Sequence, residues 1–271
     1  MSQNRWDEER MPKADAVWQL YHENSKTSRF KRPLSDQDLM KWQSQLAPLV
    51  YDGHPALELP PPRASFPKRL EDALLDRVTA PALVREQLPL ETVATLLYYS
   101  YGITRRIAEN VFPYGYRAVP SGGALYPLEI YFHAASVDGL PPGLYHYEPH
   151  ANAVRRFVDG DQTELIAARL AQPQLALDAS LTVFITAVFE RTTTKYGERG
   201  YRFALLEAGH VAQNLALCTA ALDLAGATIG GYFDHLIDEL LHIDGIYQSA
   251  LYLYAVGARA RTKSLGSLES R

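Results

Sequence analysis

Residues 202–224, RFALLEAGHVAQNLALCTAALDL, form a long and largely apolar stretch that decides how the chain folds. Arg202, Glu207 and Asn214 interrupt it, and their polar heads would be costly in lipid. Alanine recurs every four positions, at 204, 208, 212, 216 and 220. This stripe of small residues lets a second helix approach closely. The pattern predicts a central helix, buried in a core or a dimer interface, and not a membrane span.

The composition is that of a globular protein with a sizeable core. The chain has 271 residues, of which 47% are hydrophobic and 21% charged, a length for one large domain or two small ones. A net charge of −4 argues against a broad electrostatic grip on nucleic acid. The single cysteine, Cys218, excludes an intrachain disulfide framework, and the polar N-terminus lacks an apolar signal core. We expect a soluble protein of a reducing compartment, the cytoplasm.

Two parts of the chain differ in pattern. Residues 1–68 contain a short predicted helix over 14–24 and a proline-rich strap over 52–68, which we expect to lie on the protein body. Residues 69–271 show a mixed pattern of helices and strands. Further helices are predicted over 70–77 and 90–100, and strands over 128–135, 144–147, 153–158, 181–189 and 249–256.

The stretch Pro120-Ser-Gly-Gly-Ala-Leu-Tyr-Pro127 directly precedes a predicted strand. Gly122 and Gly123 remove side chains from the backbone, so a ligand can lie against bare amides. Ser121 is not the nucleophile of a Gly-x-Ser-x-Gly elbow, because Val119 occupies the first glycine position. Turn chemistry alone explains the stretch equally well as a tight turn.

Three other motifs have simpler explanations. Residues 226–231 lack the glycine order of a dinucleotide-binding fold and are predicted to be a loop after the long helix. His146 and His150 cannot share one helix face because Pro149 lies between them, so no metal site is expected. Cys218 lies in the apolar helix and is expected to pack there as a small hydrophobic residue.

Lys195 and Tyr196 follow the predicted strand at 181–189 and offer a candidate base. An ammonium group beside a phenol favours the phenolate, which can accept a proton near neutrality. Neighbours in a strand point to opposite faces, so the two side chains converge only if this stretch is a loop. The spacing by itself favours a solvated lysine next to a packed tyrosine.

Four motifs occur in one order and together resemble a known family. They are residues 120–129, residues 143–147, the Lys195-Tyr196 pair and residues 200–214. Over about residues 70–260 the set resembles the SagB/ThcOx-type azoline dehydrogenases of the FMN-dependent nitroreductase superfamily. The resemblance implies an α+β, nitroreductase-like fold with a central, mostly antiparallel sheet flanked by helices. It also implies an intertwined homodimer that holds FMN at its interface.

The resemblance assigns residues to the FMN site. Arg77-Val-Thr79 resembles the phosphate-binding Arg-x-Ser-x-Arg of the superfamily, with Pro81 in place of the second arginine. Arg259 and Arg261 resemble the C-terminal basic group that completes the phosphate site. The flavin ring would lie between two sets of residues: Pro120, Ser121, Gly122 and Gly123 on one side, and Gly230 and Gly231 on the other.

The implied activity is oxidation of thiazoline or oxazoline rings to thiazoles or oxazoles in a ribosomally made precursor peptide. Lys195 and Tyr196 match the catalytic pair of the family. Besides the peptide, a cyclodehydratase complex is an expected partner, and no nucleic acid or membrane is expected. Three alternatives stay open: an NAD(P)H-dependent nitro- or quinone reductase on the same fold, an azoline oxidase of a nonribosomal pathway, and a flavin-less scaffold of a biosynthetic complex.

Overall fold

An antiparallel sheet forms the centre of the chain in a computed structural model, which describes residues 16–27, 35–37, 40, 48–106 and 115–260. The strands, in chain order, are β1 Ala56–Glu58, β2 Leu83–Val84, β3 Ile103–Arg105, β4 Tyr116–Arg117, β5 Leu128–Ala134, β6 Gly143–Glu148, β7 Ala153–Asp159, β8 Leu181–Val188, β9 Ala225–Ile229 and β10 Gln248–Arg259. The main sheet has the order β1-β7-β6-β5-β8-β10-β2, and β9 also pairs with β10. The pairings between these strands are antiparallel.

The helices lie on both faces of this sheet. In chain order they are α1 Val17–Asn24, α2 Leu70–Asp76, α3 Leu90–Tyr101, α4 Thr163–Ala167, α5 Gln174–Leu177, α6 Glu190–Tyr196, α7 Glu198–Ala221 and α8 Asp234–Leu240, with a 3-10 turn at Gly122–Ala124. The α+β fold with a helix-flanked antiparallel sheet is therefore confirmed. The helix bounds within the described residues agree with the predicted ones to within a few residues.

Two hydrophobic cores follow from the alternation of side chains along the strands. Ile130 and Phe132 of β5 point to the core that contains α3 and α7. Tyr131, between them, points to the opposite core, beside α4, α5 and α8. Because both faces are covered, β5 and β8 are buried along almost their whole length. This explains the nearly continuous apolar sequence of β8.

Helix α7 is the predicted central helix of the first core. Its five alanines at 204, 208, 212, 216 and 220 are all buried, and α3 packs against it. Cys218 is buried in the same helix, and burial raises the pKa of its thiol to about 12. No helix among the described residues is long and apolar enough to cross a membrane.

The N-terminal strap joins the sheet over a short length. Ala56–Glu58 of this strap form the edge strand β1, in which Leu57 pairs with Val154 of β7. A division of the chain at residue 68 stays a prediction.

The prediction of a loop over residues 226–231 is wrong for most of that stretch. Residues 225–229 form β9, which pairs with β10 from Gly257 to Leu253. Gly226 serves close packing here, since a Cβ at this position would lie 2.2 Å from Oη of Tyr254. A glycine in a strand that marks the close approach of another group is easily mistaken for a turn signal.

We predict that Gly200→Ala destabilises the fold. An added Cβ would lie 2.5 Å from the carbonyl carbon of Thr192 and the nitrogen of Thr193, where α6 crosses α7. Because backbone atoms cannot move without disturbing the helix, this clash should lower the free energy of unfolding, measured by urea titration, by roughly 1–3 kcal/mol. Gly53→Ala is the matched control, since nothing lies within 4 Å of its added Cβ. Equal stability of the two variants would contradict the close crossing.

Candidate active site

Two stretches singled out in the sequence meet in the structure. The side chains of Lys195 and Tyr196, at the end of α6, lie against Gly123. A Cβ at position 123 would be 2.5 Å from Oη of Tyr196 and 2.8 Å from Nζ of Lys195. Gly123 also has a φ of 67°, a conformation that side chains disfavour. Glycine is therefore required at this position, and the two motifs form one candidate site.

The lysine and tyrosine converge on a helix, so the prediction that convergence needs a loop is wrong. Helix α6 follows β8 and ends at Tyr196, and the next residue, Gly197, has a φ of 61°. Successive helical residues are about 100° apart, which allows neighbouring side chains to reach a common point. Nζ of Lys195 lies 5.0 Å from the centroid of the Tyr196 ring. The ammonium group is thus held beside the phenol.

Phe203 of α7 forms a wall of this site that sequence reasoning did not assign. Its ring meets that of Tyr196 edge to face, at 4.9 Å between centroids. A Cβ at Gly122 would lie 3.0 Å from Cδ2 of Phe203. The available signal was the position of Phe203 inside the motif at 200–214. Residues 122–123 thus pack against aromatic and cationic side chains from both α6 and α7.

Ser121 holds the turn that presents these glycines. Its Oγ accepts a hydrogen bond of 2.9 Å from the backbone N–H of Tyr126. The phenol oxygen of Tyr126 accepts a bond of 3.1 Å from the backbone N–H of Arg117. The guanidinium carbon of Arg117 lies 4.1 Å from the centroid of the Tyr101 ring. The turn therefore rests on a buried layer of polar and aromatic side chains.

Glu207 is a buried carboxyl group beneath the turn, and the sequence analysis noted it only as an interruption of an apolar helix. Its side chain accepts a hydrogen bond of 2.9 Å from Oη of Tyr101, while Oε2 has no hydrogen-bond partner among the described residues. Burial raises the pKa of Glu207 to about 7, although the hydroxyl groups of Ser121 and Tyr101 act in the opposite direction. This carboxyl group can therefore hold a proton near neutrality.

The predicted phosphate-binding residues lie elsewhere, around two adjoining cavities. Arg77 and Thr79 line a cavity of about 210 Å³. Arg259 lines a neighbouring cavity of about 260 Å³, and Val78 and Tyr254 border both. Other walls of the first cavity come from α7, β9 and β10: Gly209, Ala212, Gln213, Ala216, Gly226, Thr228 and Tyr252. Arg261 lies outside the described residues.

Gly230 and Gly231 directly follow β9, near this group. A Cβ at Gly230 would be 3.9 Å from Cε2 of Tyr252, whose side chain lines the cavity beside Arg77. A Cβ at Gly231 would be 3.1 Å from Cβ of Ala171. The side chain of Tyr252 thus lies between Gly230 and the cavity.

Helix α7 separates the two groups of site residues within one chain. Phe203 and Glu207 face the turn at 120–123, whereas Gly209, Gln213 and Ala216 face the cavity. With 3.6 residues per turn, these two directions differ by roughly 140° around the helix axis. One chain therefore holds the glycine turn and the arginine-lined cavity on different sides of α7.

His146 and His150, which superficially resemble a metal-binding pair in the sequence, lie in different surroundings in the structure. His146 is buried in β6, and its Nε2 lies 2.9 Å from Oε2 of Glu129. Burial lowers the pKa of His150 to about 4. Among the residues the structure describes, there is no group of three or more His, Cys, Asp or Glu side chains that could hold a metal ion.

With this fold and site, the chain belongs to the Nitroreductase family, whose sequence profile matches residues 74–258. It is 37% identical over 176 residues to MJ1384 of Methanocaldococcus jannaschii, a provisionally named nitroreductase. The match covers 65% of this chain and 85% of that relative. It is 32% identical over 143 residues to the microcin B17-processing protein McbC of Escherichia coli. That second match spans 47% of this chain and only 49% of McbC.

Two solved structures share the fold. A provisionally named nitroreductase of Anabaena variabilis superposes with a TM-score of 0.64 at 22% identity, over 86% of this chain and 50% of that one. A chain of the E. coli microcin synthetase McbBCD complex, solved with truncated pro-MccB17 bound, gives 0.58 at 20% identity, over 90% and 92%. At such identities the superpositions support the fold.

We predict that Glu207→Gln changes how stability depends on pH. The folded pKa of about 7 lies above the ordinary 4.5 of a glutamate, so between these values the folded chain binds more protons at Glu207 than the unfolded chain. Wild-type stability should therefore fall as the pH rises through this window. The free energy of unfolding of the variant relative to wild type should rise by up to about 3 kcal/mol over the same range.

Denaturant titrations between pH 4 and 8 measure this difference. The exposed Glu239 supplies the control, because Glu239→Gln makes the same chemical change at the protein surface. A difference for Glu207→Gln that does not change with pH would contradict a carboxyl group that is protonated in the folded chain.

Proposed function

We propose that this nitroreductase-family chain is an FMN-dependent dehydrogenase that oxidises thiazoline or oxazoline rings to thiazoles or oxazoles in a ribosomally made peptide. The observation that carries the proposal is the contact of Lys195 and Tyr196 with Gly123. This contact unites a candidate base with a glycine turn that can lie against a flat ring. The likeness to McbC, named for microcin B17 processing, supports a peptide as the substrate.

The residues present fit FMN. Arg77, Thr79 and Arg259 border adjoining cavities, and guanidinium groups are suited to phosphate because they stay charged and can donate two parallel hydrogen bonds. Gly122 is half-buried and Gly123 is exposed, and neither carries a side chain, so the backbone of this turn can lie against a flat ring. When bound, FMN would accept a hydride from the substrate and pass the electrons on to oxygen.

Aromatisation of an azoline ring removes two hydrogens, one as a hydride and one as a proton. We assign acceptance of the proton to the phenol oxygen of Tyr196, because this oxygen lies against Gly123 and the Lys195 ammonium group is held beside the same ring. Phe203 packs edge to face on Tyr196 and fixes the direction of its phenol oxygen.

A homodimer would bring the two groups of site residues together. Within one chain, α7 lies between the turn at 120–123 and the cavity beside Arg77. A second copy can place its turn opposite the cavity of the first, so that each FMN is held by both chains. The exposed side of α7 near the cavity carries Leu205 and Leu206, which are 41% and 56% exposed. Apolar side chains in this position favour contact with another protein surface.

The proposed partners beyond the second copy are an azoline-carrying precursor peptide and a cyclodehydratase complex. The supporting likeness is to a chain of the McbBCD complex, which was solved with a truncated pro-peptide bound. A cyclodehydratase forms the azoline rings that a dehydrogenase consumes, so the two activities belong together in sequence.

The second candidate is an NAD(P)H-dependent nitro- or quinone reductase. The likeness to MJ1384, a provisionally named nitroreductase, favours it. Stopped-flow absorbance of the flavin separates the two candidates. Rapid bleaching by a thiazoline peptide with slow bleaching by NADPH supports the dehydrogenase, and the reverse order supports the reductase.

We predict that Tyr196→Phe keeps FMN and loses azoline oxidation. Removal of the phenol oxygen removes the proposed base, so turnover should fall by at least about 100-fold. The flavin absorbance band of the purified protein should be unchanged. Tyr247→Phe, at a side chain that is 60% exposed, is the matched control and should retain turnover. Full turnover by the Tyr196 variant would exclude the phenol as the base.

We predict that Arg77→Gln weakens FMN binding. A hydrogen bond to a charged group contributes about 1.5–3 kcal/mol, so Kd should rise by roughly 10- to 100-fold. Arg63 is the control, since Arg63→Gln breaks only a surface pair with Glu91 at 3.1 Å. Equilibrium dialysis with FMN measures both variants. An unchanged Kd in the Arg77 variant would contradict the proposed phosphate site.

A further inference from the structure

A buried ion pair joins α6 to the sheet behind the candidate active site. Nη1 of Arg191 lies 2.6 Å from Oε1 of Glu129, and the two residues are 8% and 5% exposed. Sequence reasoning did not single out either side chain for a role. Charged residues are rarely buried to this degree unless they are paired, so both partners are needed at these positions.

The carboxylate of Glu129 is bonded at both oxygens. Burial acts to raise the pKa of Glu129, but Arg191 and His146 outweigh it and hold the value at about 2. Glu129 is therefore ionised near neutral pH, and an ionised carboxylate only accepts hydrogen bonds. It follows that Nε2 of His146, at 2.9 Å, carries the hydrogen that it shares with Oε2.

The ion pair connects the two halves of the candidate site. Arg191 precedes Lys195 by four residues, so both lie on one side of α6, about one turn apart. Glu129 belongs to β5, which directly follows the stretch 120–127. Arg191 also donates a hydrogen bond of 3.4 Å to the carbonyl oxygen of Tyr126, within that stretch. The guanidinium group of Arg191 thus contacts both β5 and the stretch 120–127, which contains the Gly123 that Lys195 contacts.

The pair also controls the charge near Lys195. Glu129 neutralises the positive charge of Arg191, which would otherwise lie one helical turn from the Lys195 ammonium group. Without the carboxylate, two like charges would face each other on a short helix. Glu129 is thus part of the electrostatic surroundings of Lys195.

We propose that Arg191 and Glu129 are positioning residues, which hold Lys195 and Tyr196 against Gly123. Neither residue touches the reacting atoms. This inference rests on the proposed function, since the geometry it maintains is that of the proposed base. A positioning role can affect the rate strongly, because displacement of a catalytic group by about 1 Å can lower the rate about 100-fold.

The test compares Glu129→Gln with Glu148→Gln in the full chain loaded with FMN. Glu148 is a matched control, because it is also buried in the sheet and pairs at 2.6 Å with Arg155, which belongs to β7 and not to α6. For Glu129→Gln, kcat for a thiazoline peptide should fall by about 10- to 100-fold, with KM changed by less than about threefold. For Glu148→Gln, kcat should stay within about twofold of wild type even where thermal stability falls equally.

A second readout needs no substrate. In protein labelled with [13Cε]lysine, the Lys195 signal is identified by its loss in Lys195→Arg. Because the Lys195 side chain lies over the Tyr196 ring, the aromatic ring shifts this signal. Glu129→Gln should move the signal, and Glu148→Gln should leave it in place. Where Glu129→Gln does not fold, Arg191→Lys replaces it, because lysine keeps the charge and loses the contact with Tyr126.

An unmoved Lys195 signal in the Glu129 variant, or equal losses of kcat in both variants, would overturn the inference. A moved signal with unchanged kcat would overturn it as well. If the wild-type protein does not oxidise any azoline peptide, the proposed function fails, and the lysine signal alone then decides whether the ion pair positions Lys195.

Discussion

The packing of α7 across one face of the sheet is the constraint on which the rest of the structure depends. Its buried alanines are small enough to let α3 and the strands approach closely. Helix α6 is fixed by its crossing at Gly200, and the turn at 120–123 is fixed by Phe203. The candidate active site is therefore assembled on the first turns of a helix whose remainder is the core.

Close backbone contacts and buried charged groups together hold the candidate active site in place. Gly123 and Gly200 let neighbouring groups approach within a distance that any Cβ would block. Behind them, Glu129 and Glu207 are buried carboxyl groups in opposite states, the first ionised beside Arg191 and the second able to hold a proton. Burial favours the neutral form in both cases, and the nearby guanidinium group decides the difference.

The position of the arginine-lined cavity gives the proposed function its quaternary requirement. The proposed phosphate-binding groups and the proposed ring-binding turn are on different sides of α7, so under the proposed function one chain would supply only part of each site. Two copies related by a twofold axis would complete two sites at once. In that arrangement the exposed Leu205 and Leu206 of α7 would belong to the dimer interface, since the surface they form lies beside the cavity.

The five central strands of the main sheet and four of the helices could be predicted, because they depend on local periodicity, whereas the short edge strands and α4, α5, α6 and α8 were missed. The alternation over 128–135 and the apolar run over 181–189 fixed two central strands, and the alanine spacing indicated α7. The stretch 226–231 failed because its glycines look the same in a loop and in β9, and only the neighbouring Tyr254 distinguishes them. Lys195 and Tyr196 were identified by motif, but their convergence needed α6, which the residues themselves did not reveal.

The sequence by itself therefore determined the mixture of helices and strands and the central helix, which are properties of short stretches, and its motifs indicated the class of fold and the candidate residues through a family resemblance. The tertiary structure decided which of those residues meet. Gly123 contacts Lys195 across 72 positions of chain, Arg191 reaches Glu129 across 62, and Glu207 lies beneath a turn about 85 residues earlier. Such contacts depend on how the strands and helices are arranged in space, and no local pattern of side chains encodes that arrangement.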